Sequence, residues 1–247
     1  MLKETLIEAD RLFNKFDLTT VVVYPSSDNH CCISCHTNDD LIWLFAKNNN
    51  SGYTTNQFAF RTWSSIHSVI NSFSNDSLNI KIENDNSNYP QLLKVSNGRI
   101  KMNYYLQNYT FLSNQPELLS EYENKRINLN SLNEGNGDEL DENLVKDITR
   151  LSALLNEKFF RIGKDAENYI YFGDENQSID NGKIYIGDIG GDNLWLPEMY
   201  FSVEYFAAMF RSLHDQNIKI KFTPKQIIMY GNDNNVSKVV ILRGKNM

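Results

Sequence analysis

The chain resembles itself when displaced by 140 positions. Ile66, Val69, Ile70, Ser72 and Phe73 fall on Phe206, Met209, Phe210, Ser212 and Leu213, and Leu78, Ile80, Lys81 and Ile82 fall on Ile218, Ile220, Lys221 and Phe222. Apolar residues at i, i+3, i+4 and i+7 describe an amphipathic helix, and the alternation that follows describes a strand with one apolar face. The period switches at the same place in both copies. A second pairing, displaced by 142, sets Leu2, Leu6, Ala9, Leu12 and Phe13 against Leu144, Ile148, Leu151, Leu154 and Leu155. Any two amphipathic helices align, but here order, spacing and strand register recur together. The patterns predict helices over 3–16 and 63–73 with strands near 19–25, 30–36, 41–46, 57–61, 78–83, 91–96 and 99–106. The second half predicts helices over 142–158 and 203–214 with strands near 159–163, 168–173, 183–188, 195–201, 217–222, 226–231 and 237–243. The expected fold is α+β: two similar domains, 1–112 and 141–247, joined by a connector over 113–140.

Residues 113–141, the connector and the first residue after it, hold Glu117, Glu121, Glu123, Glu134, Asp138, Glu139 and Asp141 against only Lys125 and Arg126. They therefore carry most of the formal charge of -7, a balance that argues against a surface coated in basic residues. Asn133-Glu134-Gly135-Asn136-Gly137-Asp138 is loop chemistry, whereas Ile127, Leu129 and Leu132 alternate as an extended strand would.

The motifs that could carry chemistry are weak. His30-Cys31-Cys32-Ile33-Ser34-Cys35-His36 contains the C-x-x-C-H spacing of a haem attachment site and of half a zinc site. Haem attachment belongs to exported proteins, and a structural zinc needs four ligands. The charged start MLKETLIEADRLF lacks a secretory pattern, so a cytoplasmic location is expected. The segment lies between Val21-Val22-Val23-Tyr24 and Leu41-Ile42-Trp43-Leu44-Phe45, so it reads as a half-buried strand on which Cys32 and Cys35 diverge. Gly187-Asp188-Ile189-Gly190-Gly191-Asp192-Asn193 matches no phosphate-binding fingerprint. It reads as a surface turn, with a metal-dependent hydrolase using Asp188 and Asp192, joined by Asp233 or Glu198, as the alternative. His67 and His214 have no nucleophile motif nearby, and no apolar run is long enough to span a bilayer.

Two like domains, each with two amphipathic helices and curved antiparallel sheets, joined by an acidic connector, resemble a DNA sliding clamp. The resemblance covers nearly the whole chain. It is carried by the helix opening each half, by Phe60-Arg61-Thr62-Trp63-Ser64-Ser65-Ile66 leading into Ile80-Lys81-Ile82, and by Ile218 to Phe222, Pro224, Ile227 to Tyr230 and Val239 to Leu242. Two domains per chain resemble the trimeric clamps of archaea, eukaryotes and some bacteriophages, whereas the bacterial clamp has three and dimerises. The divergence and the asparagine-rich loops suggest a bacteriophage source.

The resemblance implies a homotrimeric ring around duplex DNA that tethers a DNA polymerase and is opened by a clamp loader, with no cofactor, no catalytic residue and no membrane. Chains would join through strands 99–106 and 183–188. Short partner peptides would enter an apolar pocket of Pro224, Met229, Ile241 and Leu242 with Ile127 and Leu129 of the connector, although ordinary strand core accounts equally well for Ile241. A ring that slides cannot read bases and must meet phosphates weakly and without sequence preference. Off the apolar stripes stand Lys3, Arg11 and Lys15 on the first helix, Lys146 and Arg150 on the third, and Arg211 on the fourth, the candidate DNA-facing cations. Glu4, Glu8, Asp10, Asp147 and Glu204 share those helices and dilute the basic face. A clamp-like docking module that does not encircle DNA is the other reading.

Overall fold

A computed structural model of the chain describes residues 1–18, 20–26, 28–60, 62–72, 78–97, 99–108, 137–164, 167–173, 180–187, 199–213, 217–223, 225–233 and 235–246. The described residues fall into two compact units, neither a continuous stretch of chain. Unit 1 draws on Met1–Asn38, Leu44–Ser131 and Asn232–Lys238, and unit 2 on Asp39–Trp43, Leu132–Gly231 and Val239–Met247.

In unit 1, helix α1 (Leu2–Phe13) is followed by β1 (Val21–Pro25), β2 (His30–His36), β3 (Ile42–Ser51), β4 (Phe58–Phe60), α2 (Trp63–Ser72), β5 (Asn79–Asn84), β6 (Pro90–Ser96), β7 (Lys101–Tyr105) and β8 (Gln107–Asn108). One sheet runs β8-β4-β1-β2-β3, antiparallel where Val23 faces Ile33 and Val22 faces Ala59. A second sheet runs β5-β6-β7. α1 places Leu6, Ala9, Leu12 and Phe13 at zero exposure, the stripe its periodicity requires. An aromatic chain fills the core: the Phe13 and Trp63 rings lie 5.2 Å apart, Trp63 and Phe60 5.8 Å, and Phe60 and Tyr104 5.9 Å, all edge to face.

In unit 2, β9 (Asp138–Glu139) leads to α3 (Glu142–Leu155), β10 (Phe159–Lys164), β11 (Asn168–Phe172), β12 (Gly182–Gly187), β13 (Met199–Ser202), α4 (Val203–Ser212), β14 (Lys219–Phe222), β15 (Gln226–Asp233), β16 (Val236–Arg243) and β17 (Lys245–Asn246). Three strands divide between the units: β3 opens with Ile42 and Trp43 of unit 2, β15 ends with Asn232 and Asp233 of unit 1, and β16 opens with residues of unit 1 and continues in unit 2. A sheet β12-β11-β10-β13-β17 surrounds Phe160, whose ring lies 5.5 Å from Phe206 and 5.8 Å from Phe201. Asp141 caps α3 by accepting from the Asn143 amide, and Asn156 ends it in a left-handed conformation at φ 54. That turn is why the helix stops short of the predicted 158.

Every predicted helix is present, and each predicted strand has a counterpart at or within a few residues of its place. The two-residue strands β8, β9 and β17 carry no period and were not foreseen. β2 is buried on both faces rather than half-buried, because it lies between β1 and β3 with α1 packed against it. Cys31, Cys32 and Cys35 on it are free and buried, and burial pushes the Cys31 thiol up to about 12 and Cys35 well above its usual range. The extended strand expected at Ile127, Leu129 and Leu132 lies outside the described residues. Among those described, no helix is long and apolar enough to cross a membrane.

Candidate nucleic-acid interface

On α1, Lys3, Ile7 and Arg11 recur at four-residue spacing away from the buried stripe, and Lys15 continues that spacing just past the helix. Lys3 is half-buried; Arg11 and Lys15 are exposed. The acids of this helix do not share one fate. Glu8 turns inward to 4% exposure and accepts from Arg11 Nη1 at 2.7 Å and from Lys238 Nζ at 2.5 Å. Asp10 turns inward to 5% exposure, where it accepts from Trp63 Nε1 at 3.1 Å and meets His67 Nδ1 at 2.9 Å. Glu4 alone of the three is exposed, and a hydrogen bond from Asn48, aided by the terminal amine of Met1, holds its carboxyl below the usual range. The outward face of α1 is therefore more basic than its sequence.

α3 behaves differently. Lys146 and Arg150 are exposed and four apart, but Lys146 pairs with Glu142 at 2.9 Å and Asp147 is exposed beside it. Both partners of the pair are well exposed, so it contributes about 0.5 kcal/mol at most and yields easily to a phosphate. On α4, exposed Arg211 is matched by exposed Glu204. The outward faces of α3 and α4 are thus close to neutral. α2 has no lysine, arginine, aspartate or glutamate.

The described members of the peptide pocket are core residues. Met229 and Leu242 have zero exposure and Ile241 has 2%. They lie on β15 and β16, and the described interior of β16 is buried at consecutive positions, so both of its faces pack against the fold. Ile127, Leu129 and Pro224 lie outside the described residues, as do Asp188, Asp192, Glu198 and His214 and the side chain of Asp233. Among the described residues, no group of three or more histidine, cysteine, aspartate or glutamate side chains could hold a metal.

Sequence reasoning missed a set of exposed apolar residues. Ile100 and Tyr105, at 55% and 67% exposure, flank and end β7, and Tyr185, at 56%, stands on β12. Among the described residues, each of these strands is hydrogen-bonded to a neighbour on one side only. Leu154 of α3 is 73% exposed, although Leu12, its counterpart in the repeat, is fully buried. α3 lies so close to β12 that a Cβ at Gly182 would meet Leu151 at 3.0 Å, yet its last turn leaves Leu151 and Leu155 half-buried. The signal available was the outward phase of the alternation in Lys183-Ile184-Tyr185 and Asn103-Tyr104-Tyr105.

No family model matches the chain, and no curated protein matches it in sequence. Solved structures do. The chain is similar over 99% of its length to proliferating cellular nuclear antigen of A. fulgidus, solved with the C-terminal region of FEN-1, at 12% identity and a TM-score of 0.61 over 96% of that chain. It is similar over 99% of its length to the same antigen of Entamoeba histolytica, at 10% identity and a TM-score of 0.53 over 94% of that chain. It also matches DNA polymerase III subunit beta of Borrelia burgdorferi at 11% identity and a TM-score of 0.63, covering 62% of that longer chain. The fold is that of the sliding clamps.

Proposed function

We propose that this chain is a DNA sliding clamp that closes head to tail as a homotrimer around duplex DNA and tethers a DNA polymerase. The observation that carries the reading is the presence of exposed apolar side chains on two strands paired on one side only among the described residues: Ile100 and Tyr105 flanking and ending β7, and Tyr185 on β12. An unpaired edge with apolar residues is a template for another chain. Because the two edges differ, pairing β7 of one chain with β12 of the next is heterologous, and a rotation by a third of a turn closes it. Within the ring, Lys3, Arg11, Lys15, Lys146, Arg150 and Arg211 meet phosphates, each repeated by symmetry. Mass in solution tests the reading: light scattering should give three chains, and a strictly monomeric mass at all concentrations would overturn the stable ring.

Partner recognition rests on the resemblance. Polymerase and loader would insert short apolar peptides beside the connector, at Ile127, Leu129 and Pro224, whereas Met229, Ile241 and Leu242 are buried in the strand core. The bacteriophage source likewise rests on divergence and asparagine-rich loops. The near-neutral faces of α3 and α4 favour a second reading, a clamp-like docking module that does not encircle DNA. Retention on circular nicked DNA separates the two, since only an encircling chain is held by topology.

A further inference from the structure

Helix α2 presents Ser64, Ser65, Ser68, Asn71 and Ser72 to solvent, and its one ionisable side chain is His67, 41% exposed. This histidine is held from below. Both Asp10 carboxylate oxygens lie 2.9 Å from its Nδ1, and Trp63 Nε1 donates to the same carboxylate at 3.1 Å. A carboxylate at 5% exposure is costly to keep charged without a cationic or strongly donating partner, and an imidazolium supplies one. The carboxylate orients the ring by holding Nδ1, and the exposed Asn71 amide nitrogen lies 3.0 Å from Nδ1 and 3.2 Å from Nε2, the outer ring nitrogen. Among the described residues, few other charges bear on the ring. From α1 it faces Asp10 alone, since Arg11 is turned to Glu8. Asp17 lies on the wall of the adjoining cavity of about 320 Å³, which His67 also lines, and accepts from Asn38 at 2.8 Å. The Tyr104 hydroxyl of β7 is turned to Thr62, donating to its carbonyl at 3.5 Å.

We infer that His67, backed by Asp10, is the phosphate-contacting cation of α2, so that duplex binding by this chain tightens as the imidazole protonates. The inference rests on the sliding-clamp reading and goes further by naming a titrating contact and its positioning residue. Protonation takes the Asp10–His67 pair from one net negative charge to neutral and turns its outer atom into a charged donor. The remaining side-chain cations of the helices are lysines and arginines, and the terminal amine of Met1 pairs with Glu4 at 3.3 Å, so the substitution of His67 itself is what assigns the pH dependence.

The test is fluorescence anisotropy of the full chain on a short linear DNA duplex, which a ring can thread without a loader, at low salt between pH 6 and pH 8. Wild-type affinity should fall about threefold or more from pH 6 to pH 8, as expected when a phosphate contact is lost from a polyelectrolyte interface. His67→Lys should hold the tight limb at pH 8, His67→Gln should hold the weak limb at pH 6, and Asp10→Asn should move the transition to lower pH. A purely structural histidine would not be rescued by lysine in this pH-resolved way, and thermal melts of each variant confirm folding. If wild-type protein binds and Lys146→Glu/Arg150→Glu weakens it, but the pH dependence persists in His67→Gln, this inference falls while the clamp reading stands. If the wild-type chain binds no duplex at any pH, this inference falls, and retention on circular nicked DNA decides the clamp reading separately.

Discussion

Lys238 Nζ lies 2.5 Å from Glu8 Oε2 within unit 1, and the two side chains are 2% and 4% exposed. The pair joins β16 to α1, and Arg11 completes it from the surface at 2.7 Å. Removing one partner of a buried ion pair strands the other charge, whereas removing both as apolar or neutral groups need not. Lys238→Met should therefore lower unfolding stability by about 3 kcal/mol, the lower end of the range for such losses, because Arg11 still reaches Glu8. Lys238→Met combined with Glu8→Gln should recover much of that loss. Urea denaturation of the two variants checks it, and equal losses would show that the pair is not coupled.

The strand edges should govern assembly without governing folding. Tyr105→Glu and Tyr185→Glu change residues more than half exposed, so each should alter folding stability by no more than roughly 0.5 kcal/mol. Each should nevertheless convert the trimer to monomer, because a carboxylate would be buried unpaired at every closed interface. Light scattering beside a thermal melt reads both quantities, and trimers that survive both changes would place the interface elsewhere.

Reversing charge on α3 acts on DNA instead. Lys146→Glu/Arg150→Glu should shorten retention on circular nicked DNA and flatten the dependence of binding on salt, since fewer counterions are released. Oligomeric mass should stay the same. Retention equal to wild type would exclude α3 from the DNA-facing surface.

Asp10 makes a prediction in the acid range. Burial raises its carboxyl above the ordinary value of 3.8, against the lowering effect of His67 and Trp63. The folded form therefore binds its proton more tightly than the unfolded chain. The relative benefit is complete below the ordinary carboxylate value and is lost as pH rises through the raised one. Wild-type stability measured against Asp10→Asn should accordingly improve as pH falls from about 5 to about 3. Thermal melts across that interval test the sign, and a difference that worsens with acid would reverse it.

The order and kind of the elements were legible because apolar periodicity records local geometry and one-sided burial, which a helix or strand must satisfy wherever it lies. Leu6, Ala9 and Phe13 had to form a buried stripe on α1, and Ile80 and Ile220 had to fall at matching places in two strands. The same code cannot state which surface meets a given face. Leu12 and Leu154 occupy equivalent positions in the repeat, yet one is sealed and the other is 73% exposed. Met229, Ile241 and Leu242 carry the same apolar signal whether they wall a pocket or fill a core, and packing on both faces made them core.

Charge was the least legible feature. Read along α1, Glu8 and Asp10 dilute a basic helix, and by themselves they are ordinary surface acids. The duplicated pattern and the order of helices and strands were settled by sequence alone. Whether those acids face solvent was settled only by tertiary structure, because the groups that make their burial tolerable, Lys238 for Glu8 and His67 with Trp63 for Asp10, stand 230, 57 and 53 residues away. A buried carboxylate is stable only beside its partner, and a partner at that separation is brought into place by the fold rather than by any local pattern.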